Sequence, residues 1–263
     1  MSVPAPASTI IVLRPSGSRF AVFMVERHRK SGFMPSAWVF PGGRVDGADS
    51  LHAHERVNGG AVCAEQMGLS REDAVPYLVA GVRETYEEAG IWLGAGVPGA
   101  DVRDALNGGR ATMADVLEDP RLAIDLDRLK PWSWWVTPTV ERRRYDTRFL
   151  VACVQSAEGR HDDHETVDSA WIDIDEVVRR AESGDLYMAP PTWWTLRELA
   201  ALPDLDAVQA CDRPADRVIE PILEVAGAEL TLCLPGHADH GEPAIAGLPP
   251  SLGFSHGRWW HGG

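Results

Sequence analysis

The chain has 263 residues, of which 44% are hydrophobic and 24% are charged, and these ordinary globular values exclude wholesale disorder. This length can bury a full hydrophobic core without disulfides or structural metals. Asp and Glu number 39 and Lys and Arg number 25, so the net charge of −14 argues against a protein that coats nucleic acid. No apolar run is long enough to form a transmembrane helix. We therefore expect neither nucleic acid nor a membrane as a partner.

The cysteines, the chain ends and the basic residues indicate a compartment and a source. Cys63, Cys153, Cys211 and Cys233 lie far apart and form no C-x-x-C pair, which is typical of reduced thiols in the cytoplasm. The N-terminus lacks the basic and apolar segments of a secretory signal, and the C-terminus lacks a peroxisomal Ser-Lys-Leu. With 23 Arg and two Lys, the composition indicates a GC-rich bacterial genome. We expect a cytoplasmic bacterial protein.

The first part of the chain is predicted to be a β-hairpin followed by a long helix. Apolar runs predict strands over 8–13 and 20–25, joined by a turn at 15–18. A short strand over 37–40 stops at the Pro-Gly-Gly sequence at 41–43, and 44–74 is predicted to be irregular, with short helices possible within it. An apolar stripe of helical spacing then predicts a helix over 75–89 that ends at Gly90 and leads into a strand over 91–93.

The second part is predicted to mix short helices and strands. Helices are expected over 113–117 and 121–129, and strands over 132–136, 148–154 and 170–174. Asp175 and Thr192 are the predicted N-caps of helices ending near 181 and 201. Segments 218–225 and 229–234 predict a hairpin, and 236–263 predicts a loop-rich tail. This pattern favours one α/β domain with a mixed sheet and peripheral helices.

Three glutamates share one face of the predicted helix over 75–89. At about 100° per residue, Glu84, Glu87 and Glu88 fall within a sector about 100° wide. Like charges at this spacing destabilise a helix, and Arg83 can pair with Glu87 but leaves the other two. Divalent cations such as Mg²⁺ take carboxylate oxygens and bridge to substrate phosphates, so the spacing suits a metal site. The alternative interpretation is a solvated acidic helix face.

The order of residues around these glutamates carries a family resemblance. The sequence RETYEEAGI at 83–91 resembles the second half of the Nudix box, G-x5-E-x7-R-E-U-x-E-E-x-G-U, where U is aliphatic and Thr85 departs from the pattern. Gly43 opens a displaced first half, and Asp49 stands where the pattern has Glu. Between Asp49 and Arg83 lie 33 residues instead of seven, and counting back from Arg83 puts Val75 at the Glu position. Neither register supplies that glutamate, which weakens any role for it.

An insertion inside the box narrows the resemblance to a subfamily. The segments GFMPSAWVFPGG at 32–43, RRYDTRF at 143–149 and APP at 189–191 are similar to the Nudix subfamily that contains the mammalian peroxisomal coenzyme A diphosphatase. The resemblance spans about residues 8–235. It implies a Nudix fold of the α/β (α+β) class, with a mixed β-sheet sandwiched between helices. One domain would cover 1–235, with an insertion at about 50–75, before the C-terminal extension 236–263.

The same resemblance implies a metal-dependent site. Glu84 and Glu88 would be the firmest ligands of Mg²⁺ or Mn²⁺, Glu87 would ligate or activate water, and Arg83 would hold the carboxylates in place. Gly42 and Gly43 would border the substrate. The alternative for Arg83 is a simple surface ion pair.

In this family a general base often comes from a later loop. The loop at 161–165 supplies Glu165 as the first candidate and His164 as the second. A solvated acidic loop is the alternative interpretation of these residues.

Two basic clusters are candidates for substrate contact. Arg27 and Arg29, with His28 and Lys30, follow the second strand and can contact the 3′-phosphate of coenzyme A or a diphosphate. Arg143, with Arg142, Arg144 and Arg148, presents the same choice. Solvated strand ends are the alternative for both.

The resemblance leaves three functions open. The first is metal-dependent hydrolysis of coenzyme A or acyl-coenzyme A to 3′,5′-ADP and (acyl-)4′-phosphopantetheine. The second is cleavage of another nucleotide diphosphate such as NADH or ADP-ribose. The third is a catalytically silent Nudix domain that senses a nucleotide, an alternative kept open by Asp49 and the insertion. A homodimer is an expectation at the level of the family only.

Overall fold

A computed structural model describes residues 2–29, 34–162, 165–213, 215–226, 229–255 and 257–261. In chain order the strands are β1 (Ala5–Ser16), β2 (Arg19–Arg27), β3 (Trp38–Val39), β4 (Gly42–Arg44), β5 (Val57–Asn58), β6 (Ile124–Asp125), β7 (Leu129–Val136), β8 (Tyr145–Cys153), β9 (Thr166–Asp173), β10 (Val218–Ile219), β11 (Ile222–Ala226), β12 (Glu229–Cys233), β13 (Ser251–Ser255) and β14 (Arg258–His261). The α-helices are α1 (Ala61–Gln66), α2 (Arg71–Ala89), α3 (Val102–Asn107), α4 (Met113–Val116), α5 (Ile174–Ser183), α6 (Pro190–Ala200) and α7 (Leu205–Ala210). Short 3-10 helices occupy Gly47–Asp49 and Leu126–Arg128.

A mixed sheet of eight strands forms the centre of the fold. Its order is β10-β7-β8-β1-β2-β3, with β4 also paired to β1 and β9 to β2. β1 lies parallel to β8 and antiparallel to β2 and β4. The predicted N-terminal hairpin is β1 and β2, and the predicted mixed sheet with flanking helices is confirmed.

The sheet is covered on both faces because β1 and β2 are apolar on both faces. Ile10 and Val12 point into one core layer, where α1 and α2 pack. Ile11 and Leu13 point to the other layer, where α5 and α6 pack. Such near-continuous apolar runs are typical of strands buried on both sides. The mixed sheet is thus sandwiched between helices.

Helix α2 carries the glutamates and is fixed closely to β1. It begins after the N-cap Ser70, whose side chain accepts a hydrogen bond from the Asp73 N–H, and ends at Gly90 in the left-handed conformation. Where α2 crosses β1, an added Cβ on Gly81 would lie 2.8 Å from Ser8 Oγ and 2.9 Å from a methyl carbon of Ile10. The missing side chain therefore lets the helix approach the strand, and this contact sets the height of the glutamates above the sheet.

The segment inserted between the two halves of the box has its own local structure. β5 pairs in parallel with β6, and α1 packs against α2. Arg71, at the start of α2, donates to the carbonyl oxygens of His52 at 2.8 Å, Gly59 at 2.8 Å and Val57 at 3.3 Å. These bonds hold the inserted chain against the first turn of α2. How the chain divides into domains stays a prediction.

The C-terminal segment differs from the loop-rich tail predicted for 236–263. Residues 251–255 and 258–261 form β13 and β14, which extend the hairpin of β11 and β12 into a sheet of four strands. Leu252 is fully buried in the same core layer as α5 and α6. The predicted hairpin is confirmed, except that Val218 and Ile219 pair with β7 in the main sheet. The Gly and Pro content of the tail favoured a loop, but β13 pairs with the distant β12, and β14 then pairs with β13 in a local hairpin.

Several other local predictions are wrong for identifiable reasons. Residues 91–93 are irregular, although Ile91 and Leu93 are buried, because they have no strand partner. Residues 121–129 form β6, a 3-10 turn and the start of β7 instead of a helix. Helix α5 starts at Ile174, so Asp175 lies in its first turn. Helix α6 starts at Pro190, because proline lacks the N–H that the first turn leaves unpaired, and Thr192 is inside it.

None of the helices in the described residues has the length and hydropathy needed to cross a lipid bilayer.

Candidate active site

The three glutamates of α2 face the end of the short strand β4. The Gly42 N–H donates to Glu88 Oε2 at 3.0 Å, and an added Cβ on Gly43 would overlap with the Glu84 carboxylate. Gly42 and Gly43 in turn pair with Thr9 and Ser8 of β1. The two glycines therefore form the wall against which the carboxylates rest. Contact between these glycines and a substrate stays a prediction.

Arg83 uses all five of its N–H donors, four of them on carboxylate oxygens and one on a backbone carbonyl. Nη1 donates to Glu84 Oε1 at 2.8 Å and to Glu87 Oε2 at 3.1 Å. Nε and Nη2 each donate to one oxygen of Asp49, both at 2.9 Å, and Nη2 also donates to the Arg44 carbonyl at 2.9 Å. Such a bidentate fork fixes both the position and the plane of the guanidinium. The alternative of a simple surface ion pair is wrong, because the Arg83 side chain is only 13% exposed.

Asp49 is the partner that sequence reasoning undervalued. Its carboxylate is buried, caps its own 3-10 helix through the Asp46 N–H at 2.8 Å, and forms the bidentate pair with Arg83. Asp49 occupies the Glu position of the displaced first half of the box, so the fold uses that register despite the insertion. The signal was present in the sequence as a carboxylate at the box spacing from Gly43.

Burial and mutual repulsion set the charge of the glutamates. Burial raises the pKa of Glu84 to about 7, although the Arg83 guanidinium acts in the opposite direction. Burial, together with the charge on Glu84, raises the pKa of Glu88 well above its ordinary value, and the Gly42 N–H and Arg27 act against this. Burial also raises the pKa of Glu87, again against the effect of Arg83. The carboxylates thus ionise with difficulty unless another cation joins Arg83.

The donor set fits a divalent cation. Three carboxylates, those of Asp49, Glu84 and Glu87, pair with the guanidinium of Arg83. The fourth, that of Glu88, lies close enough to Glu84 for the two charges to repel each other. Within the described chain, no group of three or more His, Cys, Asp or Glu side chains is arranged to hold a metal ion by itself. Mg²⁺ is commonly held by one or two carboxylates with water and substrate phosphate completing the shell, so the residues present suit that mode of binding.

The glutamates lie in a cleft of about 610 Å³. Its other described lining residues are Asp104, Asn107, Gly108, Arg110, Asp162 and Glu165. The structure therefore brings Glu165 to the glutamates, and the Glu165 charge acts on all three of them. His164, the second candidate base, lies outside the described residues. Sequence analysis missed the lining residues between 104 and 110 because helix α3 and the turn after it carry no recognisable motif.

Main-chain hydrogen bonds tie the loop that carries Glu165 to the helix that carries the glutamates. The Arg160 N–H donates to the Ala89 carbonyl at 2.8 Å, and the His28 N–H donates to the Glu165 carbonyl at 2.9 Å. Arg103 on α3 donates to the carbonyls of Glu87 at 2.9 Å, Glu88 at 2.9 Å and Arg160 at 2.7 Å. The Arg103 guanidinium thereby satisfies carbonyls that the end of α2 leaves unpaired.

The two arginine clusters differ in their surroundings. Arg27 ends β2 near enough to Glu88 to act on its pKa, and Arg29 is exposed just beyond. In the second cluster, Arg148 is buried, stacks on Trp134 and donates to the carbonyls of Met67 and Ala215. Arg144 is also buried and pairs with Glu220.

For Arg144 and Arg148, packing inside the protein replaces the predicted alternatives of substrate contact and solvation. Arg143 is exposed and is not among the described residues that line the cleft.

Comparisons with known proteins point to one family. Residues 65–199, just over half of the chain, match the family model described as the NUDT19 Nudix domain. The chain is 29% identical to the acyl-coenzyme A diphosphatase NUDT19 of Gallus gallus, over 74% of this chain and 67% of that protein. It is 28% identical to the Homo sapiens protein of the same name, over 84% of this chain and 72% of that protein.

A solved structure is similar over nearly its whole length. The crystal structure of a Nudix hydrolase from Alicyclobacillus acidocaldarius superposes with a TM-score of 0.73 at 28% identity, covering 82% of this chain and 99% of that one. The family match includes the glutamates of α2 but starts after Asp49. The partnership of Asp49 with Arg83 therefore comes from the geometry alone.

Asp49→Asn is expected to lower both stability and turnover. The variant keeps the size of the side chain but leaves the Arg83 guanidinium without its bidentate anion. Removing one partner of a buried ion pair lowers the free energy of unfolding by about 3 kcal/mol or more. Because Arg83 keeps its hydrogen bonds to Glu84 and Glu87, we expect a loss near ~3 kcal/mol. Urea unfolding and steady-state kinetics measure both effects. Asp206→Asn, on the exposed face of α7, is the matched control, and wild-type stability and turnover in Asp49→Asn would contradict the role.

Metal-free stability is expected to fall as the pH rises from about 4.5 through 7. The folded pKa of Glu84 is raised to about 7, so the unfolded chain releases this proton first. The favourable contribution is complete below the ordinary pKa of the unfolded glutamate and is lost as the pH passes about 7. Glu84→Gln should flatten this decline, because glutamine has no proton to release. At pH 8 its free energy of unfolding should exceed that of the wild type by up to about 3 kcal/mol, since each unit of pKa shift is worth about 1.4 kcal/mol.

Urea unfolding in EDTA at pH 5, 6.5 and 8 tests this expectation. Glu118→Gln, at an exposed position, controls for the loss of one negative charge. Added Mg²⁺ should stabilise the wild type more at pH 8, where the carboxylates are ionised, than at pH 5. At every pH it should stabilise Glu84→Gln less than the wild type. Parallel stability curves for the wild type and Glu84→Gln would show that burial does not disfavour the charged form.

Proposed function

This chain belongs to the NUDT19 Nudix family, and from that membership we propose that it hydrolyses the diphosphate bond of coenzyme A or an acyl-coenzyme A. The products would be 3′,5′-ADP and 4′-phosphopantetheine or its acyl form. Relatives named acyl-coenzyme A diphosphatase support the substrate class. The observation that carries the proposal is that Glu84, Glu87 and Glu88 line one cleft of about 610 Å³, where Arg83 holds Glu84 and Glu87 and the Gly42 N–H holds Glu88.

We propose that Glu84 and Glu88 hold Mg²⁺ or Mn²⁺, with Glu87 as a further ligand or as the residue that activates water. A bound divalent cation lowers the pKa of water and neutralises charge that develops on phosphate oxygens. The Gly42 N–H orients the Glu88 carboxylate, and Arg83 Nη1 orients Glu84 and Glu87. Preorganised carboxylates need no rearrangement when the substrate arrives, which is the main source of electrostatic catalysis.

Glu165 is proposed as the general base. Glu165 lines the same cleft as the glutamates of α2, on the loop held by the Arg160 and His28 hydrogen bonds. In the proposed reaction a water molecule attacks one phosphorus atom, its proton passes to a Glu165 carboxylate oxygen, and the bridging P–O bond breaks. A general base acts on the attacking water directly or through a second water, so it has to line the cleft, as Glu165 does.

A reducing compartment fits the four cysteines, all of which are free. Cys63 is buried and its thiol donates to the Leu129 carbonyl at 3.0 Å, so it acts as a packed core group. We propose a cytoplasmic location on this basis. The bacterial source and the homodimer stay predictions.

Coenzyme A is expected to be the best substrate in a panel that also contains NADH and ADP-ribose. The assay follows products by chromatography with Mg²⁺ or Mn²⁺. Glu84→Gln and Glu88→Gln should each lose at least about a hundredfold in kcat, since metal catalysis supplies several kcal/mol and each 1.36 kcal/mol is tenfold. Glu118→Gln is the control.

The outcomes separate the alternatives. A kcat/KM markedly higher for NADH or ADP-ribose than for coenzyme A would show that the preferred substrate is another nucleotide diphosphate. No hydrolysis of any substrate would favour a nucleotide sensor, and full turnover in both glutamine variants would defeat the metal site.

If Arg27 and Arg29 bind the 3′-phosphate, the Arg27→Gln/Arg29→Gln double variant should raise KM for coenzyme A about tenfold more than KM for dephospho-coenzyme A. Arg27 is the better placed of the two, because its charge reaches Glu88 in the cleft. KM values for both substrates measure the effect. Arg179→Gln, an exposed arginine paired with Glu176 on α5, is the control. Equal losses for the two substrates would refute contact with the 3′-phosphate.

A further inference from the structure

The charges that line the cleft are one-sided. Six described carboxylates face it, those of Glu84, Glu87, Glu88, Asp104, Asp162 and Glu165. Arg110 is the one basic residue among the described lining residues. A diphosphate is a dense anion, and a bound divalent cation neutralises only part of its charge in such surroundings. Among the described lining residues, the Arg110 guanidinium is therefore the group that can bind the diphosphate anion directly.

Helix α3, which ends three residues before Arg110, is hydrogen-bonded to the helix that carries the glutamates. Arg103 donates to the Glu87 and Glu88 carbonyls, and Asn107 Nδ2 donates to the Glu87 carbonyl at 3.3 Å. These bonds run from α3 to the same turn of α2 that carries the candidate metal ligands. The segment that follows α3 is thus anchored on the active-site helix and not on a distant part of the fold.

The Arg110 side chain is itself partly preorganised. The Arg110 N–H donates to the Ala105 carbonyl at 2.8 Å, and Nη2 donates to the Asp104 carbonyl at 2.9 Å. The guanidinium lies on Gly108, where an added Cβ would overlap with Nη1. In the described part of the chain Arg110 has no carboxylate partner, so its other donors are available to a ligand in the cleft.

We propose that Arg110 binds phosphate oxygens of the substrate's diphosphate and so determines affinity for the diphosphate itself. Guanidinium and phosphate match in charge and in the spacing of donors and acceptors. The inference rests on the proposed function for the reaction but adds a residue that no box motif contains. It also divides the binding of coenzyme A between two arginine sites, with Arg27 at the 3′-phosphate and Arg110 at the diphosphate.

Three variants and one control test the contact. Arg110→Gln removes the charge, and Arg110→Lys keeps a charge without the planar fork. Gly108→Ala keeps Arg110 but displaces its guanidinium, and the φ of −83° at Gly108 admits alanine. Arg121→Gln is the control, because Arg121 is an exposed arginine that pairs with Asp119 and is not among the described residues that line the cleft. Thermal unfolding verifies that each variant is folded.

Arg110→Gln should raise KM about tenfold for coenzyme A and equally for dephospho-coenzyme A, with kcat within about threefold of wild type. The KM of Arg110→Lys should lie between that of the wild type and that of Arg110→Gln. Gly108→Ala should raise KM by about threefold, and Arg121→Gln should leave KM unchanged. An unchanged KM in Arg110→Gln would overturn the proposal. A loss confined to coenzyme A would also overturn it, because it would place Arg110 at the 3′-phosphate.

A binding measurement separates this inference from the reaction. Methylenediphosphonate, a diphosphate analogue that cannot be hydrolysed, is titrated with Mg²⁺ into the wild type and Arg110→Gln by calorimetry. About tenfold weaker binding to Arg110→Gln supports the contact, even if the wild type hydrolyses neither coenzyme and the proposed function fails. Equal affinity, or no binding of the analogue to the wild type, would overturn the role of Arg110.

Discussion

The ion pair between Arg83 and Asp49 joins two pieces of chain that 33 residues separate in the sequence. Asp49 fixes one edge of the guanidinium, and the other edge then has a single orientation in which Nη1 reaches Glu84 and Glu87. The same guanidinium donates to the Arg44 carbonyl, next to the glycines that back the glutamates. Strand β4, the 3-10 helix and α2 are therefore held in one arrangement by one side chain.

This arrangement concentrates negative charge where water is scarce. Burial raises the pKa of all three glutamates, and one guanidinium cannot neutralise four carboxylates. A site of this kind is unfavourable in the absence of a metal and becomes favourable when a divalent cation binds. Perturbed carboxylates in a cleft are typical of functional sites, because the same desolvation that opposes ionisation strengthens the attraction for a cation.

The long insertion leaves the site intact because it is anchored at both ends. Asp49 closes the first end in a buried capping box, and Arg71 binds the inserted backbone at the start of α2. Loop entropy grows slowly with length, so extra residues between two fixed points cost little once those points are held. The insertion also contributes to the core, since Val57 and Cys63 are buried in the layer beneath α2.

The sequence by itself determined the family, the mixed sheet, the helix ending at Gly90 and the glutamate face, because these depend on local spacing within one element. It also brought forward Glu165 as a partner of the glutamates, through the family's use of a later loop. Tertiary structure alone decided the positions of Asp49, Arg103 and Arg110, which depend on contacts between segments distant in the chain. It likewise decided that Arg148 is buried under Trp134 and that β13 and β14 complete a second sheet. The physical reason is that periodicity reports how one element faces the core, whereas long-range pairing and the burial of a charge depend on which elements meet.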